Sequence, residues 1–376
     1  MRAFKILFVI GVLPVFNLSL ALPVDVLNVK DFGAKGDGVS DDYQALLAAA
    51  KACNQRKGKC ELHFPKGTYY INEYDTKGKK IADIAFENCD GLTITGEQGA
   101  VISINGKFKR SADYQKGKRK RWYSYSNAMN PLVFRDCKNL TVRGLEINGN
   151  VDKMERDKGV VEADSHLLKF VDCNTVTVED VYTHHAQTDG IYITGEKSEN
   201  ITMKNVRSFY NARQGLSIIF LKGGFFYNCA FKNTGFSEGT YGFHLPGAGV
   251  DVEASGPTSN ITFEKCEFEN NKGGQFLCTD PHWTSDITVK NCVIRAINSN
   301  SKYHMILAAK NVLIDSCSIE CGSGNIWPTW KTLPGSSVTI KNCNIKSSQS
   351  GILSVSSDEK DKVTISNNSF EFTGDT

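Results

Sequence analysis

The sequence predicts an all-β, single-domain parallel β-helix of about ten coils, with an α-helix closing its first end. Three observations carry this. A short segment recurs every 25 or 26 residues; β-branched residues alternate with polar ones inside each copy; and asparagine-rich turns separate the copies.

The copies are DGLTITG, KNLTVRG, NTVTVED, ENITMKN, SNITFEK, SDITVKN, KNVLIDS, SSVTIKN and DKVTISN, with a degenerate one at GGFFYNC. Taking the first apolar residue as register gives Leu92, Leu140, Val176, Ile201, Gly224, Ile261, Ile287, Val312, Val338 and Val363. The last four steps are 26, 25, 26 and 25 residues. A period of this size marks a parallel solenoid with one coil per repeat. A leucine-rich horseshoe has a similar period, but its leucine–asparagine pattern is absent. The Asn-x-Thr triplets at Asn139, Asn200 and Asn260 belong to the repeat and are not read as glycosylation sites.

Composition agrees with a folded chain. Of 376 residues, 40% are hydrophobic and 23% charged, which excludes disorder and a membrane bundle. The strongly apolar run is N-terminal, flanked by Arg2 and Lys5 and followed by Ser19-Leu20-Ala21. This is the layout of a signal peptide over 1–21, leaving 22–376 as the β-helix domain of a secreted (extracellular or periplasmic) protein. Losing Arg2 and Lys5 takes the formal charge from +3 to +1, so electrostatic steering must be local. Of the twelve cysteines, Cys229, Cys266, Cys292, Cys317 and Cys343 share one repeat position, and Cys89, Cys137 and Cys173 share another. Equivalent positions of stacked coils form columns of small buried residues, a role free cysteine fills. Cys53 and Cys60, outside the repeat, are the expected disulfide pair. No cysteine or histidine cluster has zinc spacing.

Asn28 to Asp42 reads NVKDFGAKGDGVSDD. Ser40 is expected to cap a helix near residues 41–54, whose apolar face covers the open end of the solenoid. Asp31, Asp37, Asp41 and Asp42 are read as turn and cap residues. FPKGTYYI follows at Phe64–Ile71. This opening is similar to the start of the pectate-lyase-like right-handed β-helix superfamily, which includes polygalacturonases, phage tailspikes and bacterial polysaccharide lyases. The resemblance implies right-handed coiling and is specific for architecture rather than chemistry. From about Val26 onward the chain resembles secreted single-domain β-helix polysaccharide lyases, in length and loop pattern most of all the biofilm-matrix depolymerases of the RbmB type. That resemblance implies cleavage of a uronic-acid-containing exopolysaccharide. The polygalacturonase hydrolase signatures (NTD, a DD pair, GHG and RIK, in order) are not found.

The chemistry-bearing residues concentrate between His184 and Glu253, in THHAQTDGIYIT, NARQGLSII and GAGVDVEA. Alternation turns Ile191, Ile193, Leu216, Ile218, Val250 and Val252 inward, and Tyr192, Ser217, Asp251 and Glu253 outward. Stacked, the three segments are expected to gather His184, His185, Asp189, Arg213, Asp251 and Glu253 on one exposed face, with Arg213 between Asp189 and Asp251. Insertions exceed the period at three steps. One, residues 107–126, interleaves eight basic residues with Trp122, Tyr123 and Tyr125. Another delivers His244. Arg121, Trp122, Tyr123, Tyr192 and Gln214 are the expected substrate contacts, since arginine grips carboxylates and aromatic rings stack on sugars.

A lyase needs a cation to neutralise a uronate, a base for the C5 proton and an acid for the leaving oxygen. His185 is the first choice of base, with His184 and His244 as rivals, and Arg213 is the neutralising cation. Asp251 and Glu253 have Cα atoms about 6.8 Å apart. They suit a hydrolase, whose carboxyl groups stand about 5 to 9.5 Å apart. The reading is therefore a secreted depolymerase of an acidic exopolysaccharide acting by β-elimination. A glycoside hydrolase using Asp251 and Glu253 and a non-catalytic polysaccharide-binding β-helix are the alternatives. No cofactor is required; if calcium is used, Asp251 and Glu253 would hold it. The expected partner is the polysaccharide alone, with no nucleic acid and no stable membrane insertion, and the protein is expected to be a monomer.

Overall fold

The computed structural model describes residues 25–72, 81–105, 128–153, 164–236, 245–296, 303–322, 324–328, 335–348, 352–355 and 362–373. The expected signal peptide, the 107–126 insertion with Arg121, Trp122 and Tyr123, and His244 lie outside these residues. The chain winds as a right-handed parallel β-helix. Two sheets have 12 strands and a third has nine, and in all three the spatial neighbours are strands of successive turns.

In the first sheet the repeat register is the pairing register. Leu140 is the cross-strand partner of Val176, Val176 of Ile201, Ile201 of Gly224, and Gly224 of Ile261. Ile261, Ile287, Val312, Val338 and Val363 continue the row. Two further strands, Asp25–Asn28 and Cys60–Phe64, precede Leu92, so the sheet has 12 rungs where the repeat alone indicated ten. The asparagines earn their place at the corners. Asn139, Asn200, Asn260 and Asn311 have φ between +50° and +57°, a left-handed conformation that asparagine tolerates better than most residues.

The interior is a set of apolar columns. Phe134 stacks on Phe170 at 5.5 Å between centroids, and Phe226 on Phe263 at 4.5 Å. Both cysteine columns exist, and all twelve cysteines are buried and unbridged. This corrects the expected disulfide: Cys53 on the cap helix and Cys60 on the strand beneath it are free thiols. Their mutual hydrogen bond, together with burial, pushes the Cys53 thiol above its usual range.

The cap helix α1 spans Tyr43–Gln55 and buries Leu46, Ala49, Ala50 and Cys53 over the first coils. Its N-cap is Asp42 rather than Ser40. Ser40 instead donates its hydroxyl to Asp37 Oδ2 at 2.8 Å. Asp42 accepts the Lys35 and Gly36 amides at 2.6 and 3.1 Å, tying down the preceding loop. Asp41 accepts the Tyr43 and Asn72 amides. These acids serve turns, as the sequence indicates. No described helix is long and apolar enough to cross a membrane.

Candidate active site

The third sheet stacks Leu168–Val171, Asp189–Thr194, Gln214–Ile218, Ala248–Val252 and Gly274–Cys278 on successive rungs. Tyr192 pairs with Ser217, and Ser217 with Asp251, so the three form one row with rungs about 4.8 Å apart. Asp189 is level with Gln214 in the parallel row below. The predicted inward set is fully buried; of the predicted outward residues Glu253 is exposed and Tyr192 partly so, whereas Ser217 and Asp251 are themselves buried. A glycine follows Asp189 and Ala248 because the next position points into a polar interior corner, and follows Gln214 because a Cβ there would meet the Gly249 carbonyl and Phe231. A Cβ at Gly190 would collide with Ser208 Oγ and come within 2.7 Å of Asn211 Nδ2.

Polar groups run across the outer surface of this sheet from rung to rung. Asn130 Nδ2 donates to Asp83 Oδ1, and Asn130 Oδ1 accepts the His166 amide. His166 lies between two carboxylates, with Nε2 3.0 Å from Asp164 and Nδ1 3.2 Å from Asp189. Asp189 Oδ2 also accepts from Arg213 Nη1 at 3.2 Å and from Ser217 Oγ at 3.0 Å. Arg213 reaches onward to Glu253 at 3.4 Å. Arg213 does sit between two carboxylates, but the second is Glu253, not Asp251. Asp251 Oδ2 instead accepts from Gln214 Nε2 at 2.8 Å. Gln214 spends its other end on the Ala248 amide, so it is a buried positioning residue rather than a substrate contact.

The row is enclosed where the sequence led one to expect an open face. Asp189 and Gln214 are 0% exposed and Asp251 2%. Burial sets the protonation states. Asp189 pays desolvation, yet Arg213, His166 and Ser217 outweigh it and hold the carboxyl below its ordinary range. Asp251 has no such surplus. Desolvation, then the charge on Glu253, push it up to about 8 against the pull of Arg213, so it is a neutral carboxylic acid at pH 7. Among the described residues its Oδ1 has no hydrogen-bond partner. Tyr192 is also raised, first by burial and then by Asp189 and Asp164. Its ring stacks on His166 at 4.1 Å, and Lys169 Nζ lies 5.4 Å from its centroid.

Among the described residues, His184 and His185 are held by partners outside this group. His184 ends the Tyr182–His184 strand of the second sheet, stacks on Tyr182 at 4.4 Å and points Nε2 at Glu146, 3.2 Å away. His185 is the left-handed corner residue (φ 53°), stacked on Tyr210 one rung on, with Nδ1 2.6 Å from that of His184. The corner over 185–188 separates them from Asp189. Sequence reasoning missed His166, Asp164 and Lys169. They sit at the end of an insertion, out of period, and only the last three residues of SHLLKF alternate as a strand does.

The sequence profile of the rhamnogalacturonase A/epimerase, pectate-lyase-like family matches residues 26–301. The chain belongs to that family. Among its relatives, a polygalacturonase of Persea americana is 28% identical over 200 residues, covering 45% of this chain and 39% of that one. Alginate lyase 7 of Azotobacter vinelandii is 26% identical over 231 residues, covering 60% of this chain and 24% of that one. The chain thus spans well under half the length of these two curated relatives. The A-module of a mannuronan C-5 epimerase of Azotobacter vinelandii shares the architecture, with a TM-score of 0.58 over 93% of this chain and 96% of that one at 18% identity. For this family member, the described residues contain no group of three or more histidine, cysteine or acidic side chains placed to hold a metal. Asp251 and Glu253 face Arg213, which already occupies Glu253.

Proposed function

We propose that this family member cleaves an acidic, uronic-acid-containing polysaccharide by β-elimination, on the outer face of the third sheet. The observation that carries the reading is the Arg213 fork held between Asp189 and Glu253, one rung from the buried Asp251 carboxyl, which burial pushes up to about 8. A guanidinium and a neutral carboxyl group can both donate hydrogen bonds to a substrate carboxylate. That spreads the negative charge developing as the C5 proton leaves, which makes the proton easier to remove. Tyr192, half-buried between Lys169 and His166, is the phenol placed along the same row to exchange protons with the sugar. Burial keeps this phenol protonated, so it carries the proton that goes to the leaving oxygen, while the exposed Glu253 carboxylate takes the C5 proton. The polygalacturonase and alginate lyase names of the relatives support an acidic polysaccharide as substrate.

A hydrolase is the second reading, favoured by one observation: Asp251, protonated, stands beside Glu253, the acid-plus-carboxylate pair that glycoside hydrolysis uses. Incubation with alginate and with polygalacturonate separates the two. Ultraviolet absorbance of an unsaturated uronate establishes elimination. New reducing ends without that absorbance establish hydrolysis and overturn the lyase reading. The biofilm-matrix polymer and an exported location are part of the same proposal, tested by assaying culture medium and matrix polysaccharide.

A further inference from the structure

A second concave feature lies on the other side of the histidine corner. A groove of about 790 Å³ runs over the junction of the first and second sheets, lined by Tyr182, Arg207, Phe209, Asn228, Ala230 and Lys232 among others. Its depth has a simple cause. Tyr182, Arg207, Ala230 and Glu267 are cross-strand partners on successive rungs. The small Ala230 therefore leaves a gap between two long side chains. His184, Phe209 and Lys232 form the neighbouring row. Tyr182 packs edge-on to Phe209 at 5.4 Å and face-on to His184, which fixes an aromatic wall. The opposite rim is an amide ladder, with Asn228 donating to Asn205 at 2.8 Å and Asn205 to Asp180 at 2.9 Å.

The charges decide what fits. Lys232 is engaged by Glu267 and Glu269. Asp180 is engaged by the ladder. Arg207 is exposed and makes no ion pair with a carboxylate among the described residues. One uncommitted guanidinium, a fixed aromatic wall and a row of amides is a set that recognises a sugar ring bearing one carboxylate: the fork takes the acid, the ring face the pyranose and the amides its hydroxyls.

We infer that this groove is a non-catalytic site for a uronate residue, which tethers the acidic polymer while the third sheet works on another stretch of it. The inference deepens the proposed function and rests on that reading only for the identity of the polymer. The test uses the full chain with Arg207→Ala, Arg207→Glu and Phe209→Ala, each checked for an unchanged circular-dichroism spectrum, since Phe209→Ala is the change that can disturb packing and the two Arg207 variants are exposed. Binding of polygalacturonate and alginate is measured by calorimetry at low salt, with dextran as the uncharged control, alongside turnover of short and long substrates. The expected result is at least about tenfold weaker binding of one acidic polymer in both Arg207 variants, no binding of dextran, and unchanged turnover of a trisaccharide. Equal binding by wild type and Arg207→Glu, equal binding of dextran, or no binding of either acidic polymer overturns the inference. Arg207-dependent binding in a protein that cleaves neither polymer upholds it and removes the catalytic reading instead.

Discussion

The outer faces of the second and third sheets are built from the same coils and differ in what they do with charge. On the third sheet His166, Asp189 and Arg213 are enclosed and committed to one another, in a series of ion pairs whose two ends, Asp164 and Glu253, reach the surface. On the second they are shallower, and Arg207 stands exposed beside an aromatic wall. Enclosure makes an electrostatic interaction strong and costly, which suits a group that must stabilise a transition state. Exposure makes it weak and reversible, which suits a group that must hold and release a polymer. Neighbouring rungs can therefore carry two chemistries, because in a parallel solenoid each face is a separate column of positions.

The largest expected effect that tests this contrast is at Arg213. Arg213→Ala should lower turnover of the acidic polymer at least ~10²-fold, the size of a lost oxyanion-type donor. Thermal unfolding followed by circular dichroism should still show a folded β-helix; a variant that fails to fold would make Arg213 a structural strut and void the contrast. Second is Asp251→Asn, expected to lower turnover by roughly 10-fold to 10²-fold, a usual range for an acid–base group. Wild-type activity should fall as pH rises through about 8, where Asp251 ionises, and the pH–rate profile of the variant should lose that limb. The sign for stability follows from linkage. The folded-state carboxyl lies above the ordinary 3.8, so its proton-linked stabilisation is full below that value and is lost as pH rises through about 8. Asp251→Asn should therefore raise the melting temperature at pH 8 relative to wild type while activity drops.

Third comes His185→Ala, which should leave turnover within about twofold, because His185 packs on Tyr210 and His184 at the corner. A loss above ~10²-fold would return it to the role of base and erase the distinction between the faces. The smallest effect is expected from chelation: with Arg213 supplying positive charge beside Glu253, the proposed activity in excess EDTA should stay within about twofold of the untreated protein. A collapse restored by calcium would place the ion at Asp251 and Glu253.

Much of the architecture was legible because a solenoid repeats its constraints. Every rung must return to the same place, so the period, the left-handed asparagines and the inward apolar positions recur and can be aligned within one chain. The first two rungs escaped because DVLN and CELHF lack the asparagine–threonine signature. In the site, Asp251 and Glu253 were legible from alternation within their strand, and Asp189 and Arg213 from the stacking of the turns expected just before the strands. The histidines were expected on the same face as Asp189, but proximity in sequence says nothing about a corner. His184 and Asp189 are five residues apart, and the chain changes sheets between them. His166 was overlooked for the opposite reason: it is distant in sequence and joins Asp189 only through rung stacking. Which of two outward carboxylates Arg213 would grip also depended on side-chain reach, which no pattern encodes.

The cysteine columns imply a race. Once the coils have stacked, all twelve thiols are sealed inside and none is bridged. Before that, they are twelve reactive groups strung along an open chain, and where a small-molecule disulfide is present to be reduced, any pair can close by exchange through a thiolate. A bridge between non-neighbouring coils would forbid the register that buries the rest. In an oxidising medium the outcome is then decided by two clocks: the time the strands take to zip, rung on rung, and the time sulfur takes to find sulfur.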